Sequence, residues 1–167
     1  KGRFTGWVGY TWSRTERIFP EINNGEPFPA IFDRRHDLSV VANYELSKKW
    51  ALGGAFVFGT GSAFTPVRSV YFIDQFPVQQ YGGRNSARLP DYHRIDLSAT
   101  FTPKPDKTGR FASSWNFSVY NAYSRQNPFF VYYAFDSDPN AGTAEASAFQ
   151  VSLFPIIPSV TWNFKWK

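Results

Sequence analysis

Two histidines stand in mixed-charge segments, His36 within Asp33–Asp37 and His93 within Asp91–Asp96. An imidazole beside a carboxylate can serve as a general base or as a metal ligand. The sequence has, however, no Ser-His-Asp arrangement, no paired catalytic carboxylates, no zinc-ligand spacing and no phosphate-binding glycine loop. We therefore predict that the chain is not an enzyme and holds no cofactor. We expect these charges to form ion pairs across neighbouring strands, each worth about 0–1 kcal/mol, with a substrate or metal contact as the alternative.

A second candidate for chemistry is Asp136–Gly142, which begins like a calcium-binding loop. Its first residues offer hard oxygen ligands, but Ala141 stands where such a loop needs glycine, and Ser147 stands where it needs a bidentate glutamate. A turn rich in Asp, Pro, Asn and Gly explains the same residues. We predict no metal site here.

The segment from Thr60 to Asp91 is the strongest candidate for a ligand-binding surface, because it interleaves aromatic rings with amides and guanidinium groups. Rings supply stacking area at low entropic cost, and the polar groups orient a sugar, peptide or siderophore-like ligand. The same residues could instead fold a large loop over itself or bind a partner lid. Asn127, Phe129, Phe130, Tyr132 and Tyr133 raise the same question in a later segment. The candidate ligand-binding residues are Phe64, Arg68, Tyr71, Phe72, Phe76, Gln79, Tyr81, Arg84, Asn85 and Arg88.

The elements that position these loops are predicted from strict alternation of apolar and polar residues. From Phe154 to Trp166, one parity is apolar and aromatic while the other becomes polar and finally cationic. A strand places successive side chains on opposite faces, so this pattern predicts an amphipathic strand. The pattern recurs five times upstream, and each run approaches the roughly 9–11 residues with which a tilted strand crosses a bilayer. The six predicted strands are residues 3–13, 36–46, 50–59, 93–102, 113–124 and 153–166.

The alternation also assigns side chains to faces. We expect one set to face lipid: Phe56, Leu97, Phe117, Val160 and Trp162. We expect another set to face an aqueous lumen: Asn43, Ser98, Asn116 and Thr161.

The connections between the strands alternate in length. Three are long, residues 14–35, 60–92 and 125–152, and two are short, Ser47–Lys49 and Pro103–Ala112. Outer-membrane barrels have long extracellular loops and short periplasmic turns. We therefore predict an all-β fold, a transmembrane antiparallel up-and-down β-barrel with the C-terminus on the periplasmic side. Six strands are fewer than the roughly eight of the smallest such barrels, so we expect the segment to form an open part of a larger barrel.

Composition agrees with this prediction. Aromatic residues make up 20% of the chain, but no apolar run approaches the roughly 18 residues of a transmembrane helix. The absence of cysteine excludes disulfides and thiolate metal sites. The formal net charge of +5 comes from Lys and Arg that look scattered along the sequence, which argues against nucleic-acid binding. With no methionine and no signal peptide, we expect the chain to begin inside a larger product.

Several stretches resemble one known family. They are Asn23–Gly25 through Asp33–Ser39, the run Arg-Leu-Pro-Asp-Tyr-His-Arg-Ile-Asp at 88–96, Trp115–Tyr123, Asn127–Phe129 and Pro155–Trp166. On these residues the chain resembles the C-terminal barrel segment of TonB-dependent outer-membrane receptors of the type common in Bacteroidota, although it ends on Trp166-Lys167 where such barrels usually finish on an aromatic residue.

The resemblance implies the last six strands of a barrel of roughly 22 strands, with a regulatory domain and a plug upstream. It implies energised import of a scarce solute through TonB, ExbB and ExbD, with outer-membrane lipid around the barrel and room for a SusD-like surface lipoprotein as a lid. The alternative is a structural or assembly subunit of an outer-membrane complex, or a passive porin.

Overall fold

The structure, a computed structural model, describes residues 3–74, 76–104, 110–138 and 143–166, without the side chains of residues 137–138 and 143–146. Within these residues the fold is all-β, with antiparallel pairing throughout. Among the described residues, no helix is long and apolar enough to cross a membrane. In chain order the strands are β1 (Phe4–Trp12), β2 (Glu16–Arg17), β3 (Phe28–Pro29), β4 (His36–Glu45), β5 (Trp50–Gly59), β6 (Ala63–Phe64), β7 (Val67–Ile73), β8 (Phe76–Tyr81), β9 (Ala87–Arg88), β10 (Tyr92–Phe101), β11 (Phe111–Tyr120), β12 (Pro128–Asp138), β13 (Thr143–Ser152) and β14 (Ile157–Trp166).

Six long strands form one sheet in the order β1-β4-β5-β10-β11-β14. Each of these six strands pairs antiparallel with the next of the six in chain order, so the sheet is an up-and-down meander, and each of the six segments predicted from alternation overlaps one of its strands. Among the described residues β1 and β14 do not pair with each other, so the sheet is open.

Two predicted strand ends differ from the structure by four residues. β11 stops at Tyr120 rather than at 124, because Asn121 adopts a left-handed φ of 52° and turns the chain. The last strand begins at Ile157 rather than at 153, since Phe154 has a φ of 57° and Pro155 has no N–H to donate to a ladder. In both places the alternation of apolar and polar residues extends beyond the hydrogen-bonded ladder, so it could not show where pairing begins or ends.

The register of the sheet sorts the side chains into two faces. The residues expected to face lipid share one face of the sheet. Phe117 lies directly opposite Val160, and the ladders place Trp162, Leu97 and Phe56 on the same face. The second predicted set shares the other face, which we call the polar face. A sheet with this register has one apolar and one polar side across six strands.

The three long connections are more ordered than predicted. Loop one (residues 13–35) contains the short β2–β3 pair, and loop two (residues 60–91) contains a base pair, β6–β9, below the hairpin β7–β8. Loop three (residues 121–156) carries the long hairpin β12–β13, and β13 lies against β7. We call the side of the sheet that bears these loops the loop end, and the opposite side the turn end.

Buried apolar side chains lie in the loops and not on the sheet. Among the described residues, Phe28, Ala30 and Ala63 are the buried apolar ones, and they belong to loops one and two. The apolar face of the sheet is exposed instead: Val8, Val160 and Trp166 are 69%, 62% and 72% exposed. The loops therefore have a small core of their own, while none of the described residues forms a layer that covers the apolar face of the sheet.

Candidate functional site

A buried carboxylate joins loops one and two at the loop end. Asp33 is 1% exposed and accepts hydrogen bonds from the Thr15 backbone N–H at 2.5 Å and from Arg35 Nε at 3.3 Å. Its other contact is Arg88 Nη2, whose guanidinium also donates to the carbonyls of Asp33 at 2.8 Å and Gly61 at 3.0 Å. Arg88 thus closes loop two against loop one.

The protonation equilibrium of Asp33 reflects this environment. Burial alone raises the pKa of the carboxyl group, because it penalises the charged form. The hydrogen bonds from Thr15, Arg88 and Arg35 and the charge of Arg88 outweigh burial, so the pKa of Asp33 lies below its ordinary value. The ionised carboxylate is the form that holds the two loops together.

Two asparagines make further connections between the same loops. The Asn23 side chain accepts from Arg84 N at 2.7 Å and donates to Arg84 O at 3.3 Å. The buried Asn85 donates to the Pro29 carbonyl at 2.7 Å, and its backbone N–H donates to Thr65 Oγ1 at 3.0 Å. We call these contacts, together with the Asp33–Arg88 pair, the loop latch.

The predicted ligand-binding residues therefore divide into two groups. Arg84, Asn85 and Arg88 belong to the loop latch, and Phe64 lies in β6 at its base. The other six lie on the hairpin β7–β8, above the latch. They are Arg68, Tyr71, Phe72, Phe76, Gln79 and Tyr81.

The hairpin does not gather its six candidates on one face. Tyr71 lies opposite Val78, and Phe76 lies on the same face of the hairpin and is 73% exposed. Phe72 and Gln79 alternate onto the other face. Gln79 there accepts a hydrogen bond from the Tyr81 hydroxyl at 2.6 Å. An exposed aromatic surface is thus formed by Tyr71 and Phe76.

A cavity of about 260 Å³ lies where the three loops meet. Its walls include Arg34 from loop one, Thr60 from loop two, Phe129 from loop three and Tyr92 at the start of β10. The Arg34 guanidinium carbon lies 5.9 Å from the centre of the Tyr92 ring. A Cβ atom at Gly59 would come within 2.8 Å of Arg34 Nη1, so the glycine leaves the space that the arginine occupies.

The cavity combines features that suit a small polar ring. Arg34 is partly exposed and its ion pair with Asp37 is long, at 3.9 Å, so its guanidinium group can also donate to a carboxylate or hydroxyl group of a ligand. Phe129 is 63% exposed and offers a ring face beside Tyr92. The sequence analysis did not place Arg34 and Tyr92 in one site. The one signal in the sequence was Gly59, whose missing side chain leaves room for Arg34.

A second polar cluster lies on the polar face just below this cavity. Arg94 donates to Asp96 Oδ2 at 2.9 Å and to the Tyr92 hydroxyl at 2.9 Å, and its guanidinium stacks 4.0 Å from the Tyr120 ring centre. The other oxygen of Asp96 accepts the Asn121 backbone N–H at 2.9 Å. The expected ion pairs are therefore present, but Arg94 pairs within its own strand and Arg88 pairs between loops, rather than across neighbouring strands.

The histidines contact tyrosines on the apolar side of the loop end. His36 Nδ1 lies 2.8 Å from the Tyr10 hydroxyl, and His93 Nδ1 lies 2.7 Å from the Tyr123 hydroxyl. Within the described part of the chain, no cluster of three His, Cys, Asp or Glu residues could hold a metal ion. The calcium-like segment Asp136–Gly142 falls largely outside the described residues.

A comparison with family models found no match, and searches of curated proteins and of solved structures returned no significant relative.

Proposed function

We propose that this chain forms part of the wall and the extracellular loops of a transmembrane β-barrel in the bacterial outer membrane. The barrel belongs, in this proposal, to a TonB-dependent transporter that imports a scarce solute. The membrane part of the proposal rests on the apolar face, and the transporter part rests on the sequence resemblance together with the loop-end cavity.

The observation that carries the membrane proposal is the order of side chains along the apolar face. At the turn end, Trp50, Phe101, Trp115 and Trp162 form one row across four neighbouring strands. Ring centres of Trp50 and Phe101 lie 4.8 Å apart, and those of Trp115 and Trp162 lie 5.9 Å apart. We call this row the aromatic belt.

The middle of the same face holds mainly small and aliphatic residues, with Phe56 and Phe117 among them, and its other end is aromatic again. One middle row is Gly6, Ala42, Gly54, Leu97, Val119 and Pro158. Nearer the loops come Tyr10, Phe58 and His93, with Trp12 opposite His36. An apolar band between two aromatic girdles is the pattern of a lipid-facing barrel wall.

The exposure of this face supports the same conclusion. Soluble monomers rarely expose a continuous apolar patch of more than a few hundred Å². On the polar face, Trp7 and Ile157 are the large apolar side chains of the described sheet that are exposed. On the apolar face the exposed ones are Phe4, Val8, Tyr10, Trp12, Tyr44, Trp50, Leu52, Leu97, Phe111, Trp115, Phe117, Val160, Trp162, Phe164 and Trp166.

The polar face has the character of a lumen wall. It holds a depression of about 350 Å³ that extends over β4, β5, β10 and β11. β5 contributes the small residues Gly53 and Ala55 there, and Gly53 lies between Asn43 and Ser98 of the flanking strands. A Cβ on Gly53 would lie 2.6 Å from Ser98 Oγ. Solute or an upstream plug could approach this side of the backbone closely.

Transport is tested in cells that carry the full-length protein with and without TonB. Growth on a panel of carbohydrates, peptides and siderophores should depend on the protein and on TonB for at least one solute. Solute entry that persists unchanged without TonB would favour a passive porin. A protein that assembles but supports no solute uptake in either strain would favour a structural or assembly subunit.

The part played by loop two is tested by shortening its hairpin. Removal of residues 69–80 takes away Tyr71 and Phe76 but leaves Arg84, Asn85 and Arg88 in the loop latch. We expect weaker solute uptake with normal barrel assembly, because surface hairpins tolerate shortening better than sheet strands do. Wild-type uptake by this variant would assign the hairpin to a structural or partner-binding role.

A further inference from the structure

Lysines that look scattered in the sequence lie at one end of the folded chain. All four described lysines lie at the turn end, in the two short turns or near the end of β14: Lys48, Lys49, Lys104 and Lys165. Arg3 and Arg110 lie at the same end, and Glu45 is the one carboxylate there among the described residues. All seven of these side chains are at exposed positions.

Arginines at the loop end have a different environment. Arg88 and Arg35 contact Asp33, and Arg14 contacts Glu16 at 2.6 Å. Arginine suits such fixed contacts, because its planar guanidinium donates several hydrogen bonds at once, whereas lysine is a compact and strongly hydrated charge on a flexible stem. The two ends therefore differ in charge and in the kind of cation they carry.

The basic residues of the turn end form one continuous patch. The Thr102 backbone N–H donates to the Lys49 carbonyl at 2.8 Å, so the turn of residues 46–49 adjoins the turn that contains Lys104. Glu45 N donates to the Arg3 carbonyl at 2.8 Å, which adds the start of β1. Lys165 pairs with Ala112 in the ladder and so lies next to the strand that follows Arg110.

The patch adjoins large aromatic side chains of the apolar face. Lys49 directly precedes Trp50 of the aromatic belt, and Lys165 precedes Trp166 at the end of β14, where it lies on the polar face opposite Ala112. Phe111 follows Arg110, and its ring centre lies 5.9 Å from that of Trp166. Each basic segment is thus next to a ring that suits the boundary between hydrocarbon and headgroups.

We propose that the turn end binds the anionic phosphate headgroups of the membrane leaflet that it faces. The inference rests on the proposed barrel, because it takes the apolar face to be in lipid. Basic clusters next to a membrane-embedded segment attract anionic lipids, and the attraction falls off within a Debye length. Here the aromatic belt fixes the depth of the strands, and the turn lysines Lys48, Lys49 and Lys104 lie beyond the strand ends, at the level of the headgroup layer.

The experiment uses the full-length protein in vesicles of phosphatidylcholine alone and of equal parts phosphatidylcholine and phosphatidylglycerol. The midpoint of thermal unfolding should be higher in the anionic vesicles. Replacing Lys48, Lys49, Lys104 and Lys165 with glutamine should remove more than half of that difference. Replacing the same residues with arginine should preserve it, because the charge is kept.

A matched control removes four exposed cations from the loop end by changing Arg14, Arg17, Arg68 and Arg84 to glutamine. This variant should keep the lipid-dependent difference. Salt at about 1 M, where the Debye length is near 3 Å, should abolish the difference in the wild-type protein. Inorganic phosphate added to phosphatidylcholine vesicles at matched ionic strength should not reproduce it.

Three results would overturn the inference: no lipid-dependent difference in an inserted wild-type protein, equal losses in the lysine and arginine variants, or a full effect of free phosphate. Failure of the wild-type protein to insert into either vesicle would instead contradict the proposed barrel. Protection of the strands from protease in the vesicles distinguishes these two failures.

Discussion

The loop assembly and the six-stranded sheet are stabilised in different ways. Loops one and two bury Phe28, Ala30 and Ala63 and hold a buried carboxylate with two arginines, so their contacts are made within the chain. The sheet satisfies its backbone ladder but leaves its apolar face exposed. Substitutions in the loop latch should therefore destabilise the loops in water and in a membrane alike, whereas the effect of substitutions on the apolar face should depend on what covers that face.

The largest expected effect is a charge placed on the apolar face. Val160→Arg should lower the stability of the inserted protein by about 2–4 kcal/mol, because the guanidinium would lie in hydrocarbon. Thr161→Arg, one residue away on the polar face, should cost less than about 1 kcal/mol. Denaturant unfolding in vesicles measures both variants. Equal losses at the two positions would contradict the assignment of the faces.

A smaller effect is expected from Gly61→Ala in the base of loop two. The new Cβ would lie 1.6 Å from the Leu89 carbonyl oxygen, a backbone atom, so the base must shift at a cost of about 3 kcal/mol. Gly54→Ala is the control on the sheet, where the nearest atom is a Leu97 methyl carbon at 3.6 Å. Limited proteolysis should cleave loop two faster in the first variant only. Loop cleavage at wild-type rates in Gly61→Ala would show that the base is not packed as described.

Loss of the buried carboxylate should have a similar or smaller cost. Asp33→Ala leaves the Thr15 N–H and part of two guanidinium groups without their acceptor, which should cost about 1–3 kcal/mol of loop stability. Hydrogen exchange should increase in loops one and two but not in β4 or β5. An equal increase in the sheet would mean that the loop latch and the sheet unfold as one unit and are not stabilised separately.

The smallest effect concerns pH. The pKa of Asp33 is lowered in the folded protein, so its contribution to stability is complete above the ordinary carboxyl pKa of about 4. This contribution is lost as the pH falls through the lower, folded value. Pepsin should therefore cleave the loops of the wild-type protein faster, relative to Asp33→Asn, at about pH 2 than at about pH 4. A constant ratio of the two cleavage rates would show that Asp33 does not titrate in the loop latch.

Local alternation was enough to predict much of the sheet. A strand has a two-residue period, so the parity of Phe117 and Val160 predicted a shared face, and the ladder places them opposite each other. The same pattern predicted six strands and the order of long and short connections. It did not predict the hairpin β7–β8, because the mixed polar and apolar sequence of these strands has no clear period, and it did not predict β2, β3, β6 and β9, because a strand of two residues shows no period at all.

Local patterns of residues suffice to predict the strands, their two faces and which connections are long, because each of these depends on neighbours within a few residues. Three features follow instead from the way the chain folds: Asp33 contacts Arg88, Arg34 shares a cavity with Phe129, and the described lysines lie at one end. These contacts join residues far apart in the chain. Their geometry follows from how an up-and-down sheet brings alternate connections to the same side, which no local pattern of residues records.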